Sequence, residues 1–193
     1  MLIDISQEVF SCATYPGDPE PEICRMESMK AGDLYNLSSF SMCAHNGTHV
    51  DAPNHFLEHG KTIDEIGLDV FVGPCYVARC DGEVKKSEAE KILEKANLVH
   101  AGNRILLAGD IVVTEEAAEV FANAKVKLIG NESQSVGPVE APMSVHLILL
   151  RAEVVLLEGI VLENVEEGKY FLSAAPLNLA GCEGAPCRAY LIK

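Results

Sequence analysis

The stretch "CAHNGTHVDAPNHF", residues 43–56, places three of the chain's six histidines around one aspartate. Imidazole nitrogens and carboxylate oxygens are the protein ligands that zinc, manganese and related divalent metals bind. Two histidines four residues apart are weak evidence by themselves, and often both are ordinary surface or core residues. The aspartate and the third histidine strengthen the pattern. We therefore predict a metal half-site formed by His45, His49 and Asp51, with His55 close enough to enter the same pocket.

The local conformation of this stretch can be predicted from its residue types. A straight strand would separate His45 from His49 by about 13 Å, whereas each ligand atom must lie about 2 Å from a metal. The chain must therefore bend, and Gly47 permits the unusual backbone dihedral angles while Pro53 fixes the exit. A helix would also bring the histidines together, but Gly47, the β-branched Thr48 and Pro53 disfavour one.

Bulk composition limits the class of protein. A length of 193 residues with 48 % apolar residues is typical of a single domain, here 1–193, with a full hydrophobic core. The net charge of −14 argues against nucleic acid or an anionic membrane surface as a partner. The most apolar run is interrupted by Arg151, Glu153 and Glu158, so we expect no membrane span. The first ten residues carry acids and no basic segment, so we do not expect a signal peptide there.

The seven cysteines form no CxxC pair and lie singly along the chain. This pattern is typical of reduced thiols in a cytoplasm, and a disulfide framework is the less favoured alternative. Cys182 and Cys187 are the pair to test for a metal or redox role, although their spacing is unspecific.

Hydrophobic periodicity predicts strands that alternate with helices in the middle of the chain and cluster at both ends. Helices are predicted at 87–98, 114–124 and 141–150. Strands are predicted at 2–6, 35–43, 73–80, 104–109, 126–130, 153–160, 170–181 and 187–193. The first helix opens with Ser87 and Glu90, a capping-box pattern. The predicted class is α/β, a single domain with a mixed β-sheet and flanking helices.

The segment "HNGTHVDAPNHF" resembles the HxGTHxDxPxHF signature of the cyclase family of metal-dependent hydrolases. Bacterial kynurenine formamidase and isatin hydrolase are members of that family. The resemblance extends from "YPGDP" near the start to "VLLEGIVLENVEEGKYFLSAAPLNLAGCEGAPCRAYLI" at the end. It implies the swivelling β/β/α type of fold, a small-molecule substrate and a homo-oligomer, either a dimer or a tetramer.

The resemblance also implies roles for individual residues. His45, His49 and Asp51 match the family's metal ligands, and His146 and Glu158 match the two residues that complete a second metal site. Asp51 would then bridge two ions. Zinc is the expected metal, with one or two ions bound, and manganese is the alternative. Without the family, His146 would be interpreted as a buried helix histidine and Glu158 as a costly charge in an apolar strand.

By the same resemblance, His55 is the general acid/base of a reaction that hydrolyses a carbonyl–nitrogen bond. The leading substrate class is an N-formylated aromatic amine, which would give the amine and formate. Tyr15 stands where formamidases commonly have a tryptophan, and it is positioned to stack on an aromatic substrate. The segment "GNESQS", 130–135, also departs from the usual "GxDTPS", with Asn131 replacing an acid.

Two alternatives to the formamidase interpretation remain. One is a related hydrolase of a cyclic amide such as isatin, or of a lactone. The other is a metal-binding protein without catalysis. Glu158 favours the two-metal pattern of formamidases over isatin hydrolase, which resembles a one-metal site with a glutamine at that position.

Overall fold

A nine-stranded mixed sheet organises the computed structural model, which describes residues 1–138 and 140–193. The strands are β1 (Leu2–Asp4), β2 (Glu22–Glu27), β3 (Leu37–Ser41), β4 (His49–Asp51), β5 (Val72–Arg79), β6 (Gly82–Val84), β7 (Arg104–Ala108), β8 (Ile111–Val113), β9 (Leu128–Asn131), β10 (Val155–Glu158), β11 (Gly168–Ser173), β12 (Gly184–Pro186) and β13 (Tyr190–Ile192). The helices are α1 (Leu68–Phe71), α2 (Lys86–Leu98), α3 (Glu115–Asn123) and α4 (Met143–Arg151).

The strand order in the large sheet is β1-β13-β11-β5-β7-β9-β10-β4-β12. Its centre, from β5 through β7 and β9 to β10, is parallel, whereas the strands on both sides pair antiparallel. Parallel strands need crossover connections, and the helices between them provide these. The sheet is curled, with α2, α3 and α4 packed on one face and the short α1 against the other part of the core. The predicted single-domain α/β class with a mixed sheet is therefore confirmed.

The core has two parts, one on each face of the sheet. Alternate side chains of β7 enter different parts: Ile105 and Leu107 pack with the helices, and Leu106 and Ala108 pack inside the curl. Every residue of β7 is buried, as expected for a central parallel strand that is covered on both faces. This explains why the central strands have continuous apolar sequences.

The start of α3 agrees with its prediction, but the start of α2 does not. The Thr114 side chain accepts a hydrogen bond from the backbone N–H of Ala117 and caps α3. The capping box predicted at Ser87 and Glu90 is wrong, because α2 follows Lys85 as its N-cap and has no side-chain cap. Ser87 already lies within the first helical turn, where its backbone cannot adopt the extended N-cap conformation.

Most predicted strands are shorter in the structure than the sequence suggested, and 170–181 and 35–43 are two examples. Of 170–181, only the part up to Ser173 is strand, and the later residues form a loop with one isolated bridge between Pro176 and Cys187. The strand predicted at 35–43 spans Leu37–Ser41 and pairs with β2 in a separate two-stranded ribbon. Every residue of β3 is exposed. Within the described residues, no helix is long and apolar enough to cross a membrane.

Candidate metal centre

The turn before β4 positions the first histidine. His45 lies in this turn, and the predicted bend occurs at Gly47, whose φ of +62° is in the left-handed region. A Cβ atom at Gly47 would also lie 2.8 Å from the Cβ of Cys12, so the position needs glycine for two reasons. After the bend, His49 and Asp51 lie two residues apart on β4 and point to the same face of the sheet.

Hydrogen bonds from other elements hold this turn in place. The Thr48 hydroxyl donates to the backbone carbonyl of Gly159 at 2.6 Å. The Gln134 side-chain amide donates to the carbonyl of Gly47 at 3.2 Å. The turn is thus tied to the ends of β9 and β10, which lie beside it in the sheet.

Residues far apart in sequence join the cluster through β10 and α4. β10 runs antiparallel to β4, with Glu158 directly opposite His49. His146 lies on the buried side of α4, and its Nε2 atom is 3.5 Å from Glu158 Oε1 and 3.7 Å from Asp51 Oδ2. Glu158 Oε1 also accepts the backbone N–H of Val136 at 2.7 Å. The five residues implied as ligands therefore meet at one place.

The cluster consists of two groups that share a carboxylate. The first group is His45, His49 and Asp51, and the second group is Asp51, His146 and Glu158. Within each group the potential ligand atoms all lie within 4.8 Å of one another. All of these residues are buried except His45, which is partly exposed. The sharing of Asp51 is the arrangement that a carboxylate bridging two ions would need.

Backbone carbonyls orient two of the histidine rings. His49 Nδ1 lies 3.0 Å from the carbonyl oxygen of Gly47, and His146 Nδ1 lies 2.8 Å from that of Pro142. A carbonyl only accepts hydrogen bonds, so each Nδ1 must carry the proton. Each Nε2 therefore faces the carboxylates, and once it loses its proton its lone pair is available to a metal.

The two buried carboxylates of the cluster, Asp51 and Glu158, require a positive charge beside them. Asp51 and Glu158 are 1 % and 2 % exposed, and Asp51 Oδ2 is buried without a hydrogen-bond partner. Burial opposes ionisation of Asp51, yet hydrogen bonds from His45 and His49 hold its pKa well below the ordinary value. Burial likewise lowers the pKa of His49, but hydrogen bonds to Asp51 and Glu158 prevail and raise it to about 10. Protons or a metal cation can supply the charge, and the mixed nitrogen and oxygen donors fit a divalent metal.

His55 lies beside this cluster without belonging to either group. Its ring stacks on that of His45 with centroids 4.1 Å apart, and its Nε2 is 4.0 Å from Asp51 Oδ2. Burial lowers the pKa of His55, and the charges of His45 and His146 lower it further, against the opposing effect of Asp51. The His55 imidazole is therefore neutral at pH 7 and able to accept a proton.

Comparison with known proteins identifies the family. A family model described as "Putative cyclase" matches residues 3–138. A kynurenine formamidase from Salinibacter ruber is 34 % identical, with 98 % of this chain and 96 % of that protein covered. The chain belongs to the cyclase family.

Solved structures agree with this cyclase-family assignment. A "predicted metal-dependent hydrolase" from Bacillus stearothermophilus matches with a TM-score of 0.79 and 26 % identity, covering 99 % of this chain and 97 % of that one. Isatin hydrolase A from Labrenzia aggregata matches with a TM-score of 0.81, covering 99 % and 93 %. Its identity of 20 % shows a common fold alone.

The cyclase-family site opens into a cavity of about 310 Å³. Tyr15, Phe56 and Pro142 line this cavity together with the clustered histidines. Of the unusual segment 130–135, Gln134 and Ser135 reach the cavity wall. Asn131 is fully buried in β9, and its side-chain amide donates to the carbonyl of Ser135. Asn131 therefore does not line the cavity, and it contacts the backbone of Ser135, which does.

Glu183 is a residue of the site that sequence reasoning missed. It precedes β12, lines the cavity, and places Oε1 3.3 Å from His45 Nε2. No spacing pattern marks a single glutamate so far from the histidines in sequence. Only the pairing of β12 with β4 brings it to the cluster.

The two late cysteines do not join the metal centre. Cys182 and Cys187 are free thiols of intermediate exposure, as the prediction of reduced cysteines requires. Neither belongs to a potential metal group among the described residues. Burial raises the pKa of the Cys187 thiol to about 12, which makes it a poor nucleophile or metal ligand at neutral pH. The packing of both against the apolar core indicates a structural role.

Proposed function

We propose that this cyclase-family chain is a metal-dependent hydrolase of carbonyl–nitrogen bonds, with an N-formylated aromatic amine as substrate. Water would cleave the formamide to give the free amine and formate. The observation that carries this proposal is the pair of ligand groups sharing Asp51 at the cavity, with His55 beside them. The near full-length similarity to a kynurenine formamidase supports the same reaction class.

The chain's own residues fit a divalent metal. His45, His49 and Asp51 would hold one ion, and Asp51, His146 and Glu158 would hold a second. The unpartnered Asp51 Oδ2 supports this, because a buried carboxylate oxygen without a donor is costly unless a cation meets it. A bound divalent metal supplies Lewis acidity for the carbonyl and lowers the pKa of water. We expect zinc, and manganese is the alternative that oxygen-rich ligand sets also favour.

His55 is the proposed general acid/base. Its imidazole is neutral at pH 7, faces the cavity and lies within reach of the shared carboxylate. In this role Nε2 takes a proton from the attacking water and later returns it to the departing amine nitrogen. The 29 % exposure of its side chain gives contact with substrate, which the more deeply buried His49 lacks.

The size of the cavity supports a small aromatic substrate. A volume of about 310 Å³ lies at the lower end of the range of roughly 300–1,000 Å³ for small-molecule sites. Tyr15 and Phe56 supply aromatic surface on which a single ring can pack. We therefore propose Tyr15 as a substrate-binding residue.

A substrate panel tests this function. Purified protein loaded with zinc or manganese is assayed with N-formylkynurenine, isatin and simple lactones. Hydrolysis of the formamide with at least tenfold higher kcat/KM than the other compounds is the expected result. Preference for isatin or a lactone would replace the formamidase proposal by the cyclic-amide or lactone alternative. Tight metal binding without hydrolysis of any compound would indicate a metal-binding protein without catalysis.

We also propose a homo-oligomer located in the cytoplasm. The ribbon of β2 and β3 and the loop that joins them project apolar side chains into solvent, with Leu34 of the loop 94 % and Phe40 of β3 59 % exposed. An isolated two-stranded ribbon is marginally stable in water, so cover by a second copy would stabilise it. The seven free thiols support a reducing compartment. Light scattering on the purified protein should give a dimer or tetramer mass, and Leu34→Asp should lower it.

A further inference from the structure

His45, His49 and His146 each have one ring nitrogen on the side away from Asp51 and Glu158. That nitrogen has its own hydrogen-bond acceptor. For His49 and His146 this acceptor is a backbone carbonyl. For His45 the acceptor is the carboxylate of Glu183, whose Oε1 lies 3.3 Å from Nε2. His45 Nδ1 lies on the other side of the ring, 2.8 Å from Asp51 Oδ1. The three rings thus share one pattern, and His45 alone uses an anionic acceptor.

We propose that Glu183 is a positioning residue for His45, an inference that rests on the proposed metal site. A carboxylate accepts hydrogen bonds and does not donate them when ionised. With metal bound, Glu183 would therefore hold the proton on Nε2, so that the deprotonated Nδ1 presents its lone pair beside Asp51. A carboxylate behind a metal-bound imidazole also increases the basicity of the ligand nitrogen.

The backbone around Glu183, just before β12, is shaped for this contact. The Glu183 backbone carbonyl accepts the N–H of Ala52 at 2.8 Å, which fixes its position independently of its side chain. The next residue, Gly184, pairs with Asp51, and a Cβ atom there would lie 2.8 Å from His45 Cε1. The missing side chain at Gly184 leaves room for the imidazole, and the preceding Glu183 supplies its acceptor.

Metal affinity tests the proposal without any substrate. Zinc dissociation constants are measured by competition with a chromophoric chelator for wild type, Glu183→Ala and Glu183→Gln. We expect Glu183→Ala to weaken one of the two zinc equivalents by about 10- to 100-fold, the usual effect of removing such a partner. Glu183→Gln keeps an acceptor oxygen and should restore part of the loss. The second equivalent, held by the group with His146 and Glu158, should change much less.

A matched control and a second readout make the outcome decisive. Glu163→Ala removes another exposed glutamate, remote from the cluster, and should leave both zinc affinities unchanged. Nitrogen-15 NMR of the zinc-loaded wild type should show His45 protonated at Nε2 and coordinated through Nδ1. Coordination through Nε2, or a Glu183→Ala protein with wild-type affinities, would overturn the proposal. A wild type that binds zinc but rejects every formamide would refute the substrate proposal and leave this inference standing.

Discussion

The two ligand groups differ in how the chain builds them. The first group comes from one short segment, 45–51, whose bend at Gly47 folds its histidines together. The second group joins the same Asp51 to a helix and a neighbouring strand, so it exists only when β4, β10 and α4 are packed. Both groups line the cavity, but the first includes the partly exposed His45, whereas every member of the second is buried. A local group can be identified in sequence, and a group made by packing cannot.

Replacing the shared carboxylate should have the largest effect. Asp51→Ala removes a ligand from both groups, so we expect loss of both metals and of detectable hydrolysis. Elemental analysis after gel filtration measures the metal content, with the exposed Asp81→Ala as the control. If Asp51→Ala retains one full equivalent, the two groups are independent and the bridging role is wrong.

Replacing His55 should reduce catalysis without affecting metal binding by either ligand group. Because His55 lies outside each ligand set, His55→Ala should retain the wild-type metal content. The hydrolysis rate should fall by about 10²- to 10⁴-fold, the usual contribution of a general acid/base. Parallel measurement of kcat and bound metal checks this. A concurrent loss of metal would make His55 a ligand instead.

Changing one ligand in each group should distinguish the two groups directly. Glu158→Gln weakens the second group and should lower the metal content from two equivalents towards one, with reduced activity. His49→Ala should empty the first group, which then retains only His45 and Asp51. Unchanged metal content and rate in Glu158→Gln would mean that the second group binds no ion. The two-metal mechanism would then be abandoned.

Stability of the metal-free protein should depend on pH through His49. Burial opposes its protonation, but Asp51 and Glu158 raise its pKa from 6.5 to about 10 in the folded state. A raised folded-state pKa contributes stability that is complete below pH 6.5 and is lost as the pH rises through about 10. The thermal midpoint of chelator-treated protein should therefore fall by several degrees across this window. Metal-loaded protein should show no such fall, because the cation replaces the proton.

The smallest expected effect concerns the cavity wall, outside both groups. Tyr15→Ala removes aromatic surface from the substrate side of the cavity. We expect KM to rise about 2- to 10-fold, which corresponds to the usual energy of an aromatic contact, while kcat and metal content stay unchanged. Steady-state kinetics with the preferred formamide measure this. A changed kcat at constant KM would contradict the proposed binding role.

The sequence predicted the parts of this molecule that local chemistry determines. The bend at Gly47, the helix over 114–124 and the apolar central strands follow from residue types within a few positions. The location of His146 and Glu158 followed only from the family resemblance, since no local pattern joins a helix to a distant strand.

Other features depended on tertiary pairing and could not be predicted. Glu183 reaches His45 only through the pairing of β12 with β4. The loop after Ser173 has apolar residues suited to a strand, yet it lacks a neighbouring strand beyond one isolated bridge. The capping pattern at Ser87 failed because the N-cap is Lys85, two residues earlier, and the helix already includes Ser87.

The pairing of β4 with β10 and β12 limits how the sequence of this chain can change during evolution. Glu158 lies opposite His49, and Gly184 lies opposite Asp51, across two different neighbours. Side chains alternate between faces along a strand, so a one-residue insertion or deletion there would turn ligands away from the cavity. A substitution at a position that is not a ligand keeps the register, whereas a change of length does not. Evolution of new substrate preferences is therefore confined to loops such as the one carrying Tyr15, where length can vary while the ligand set stays intact.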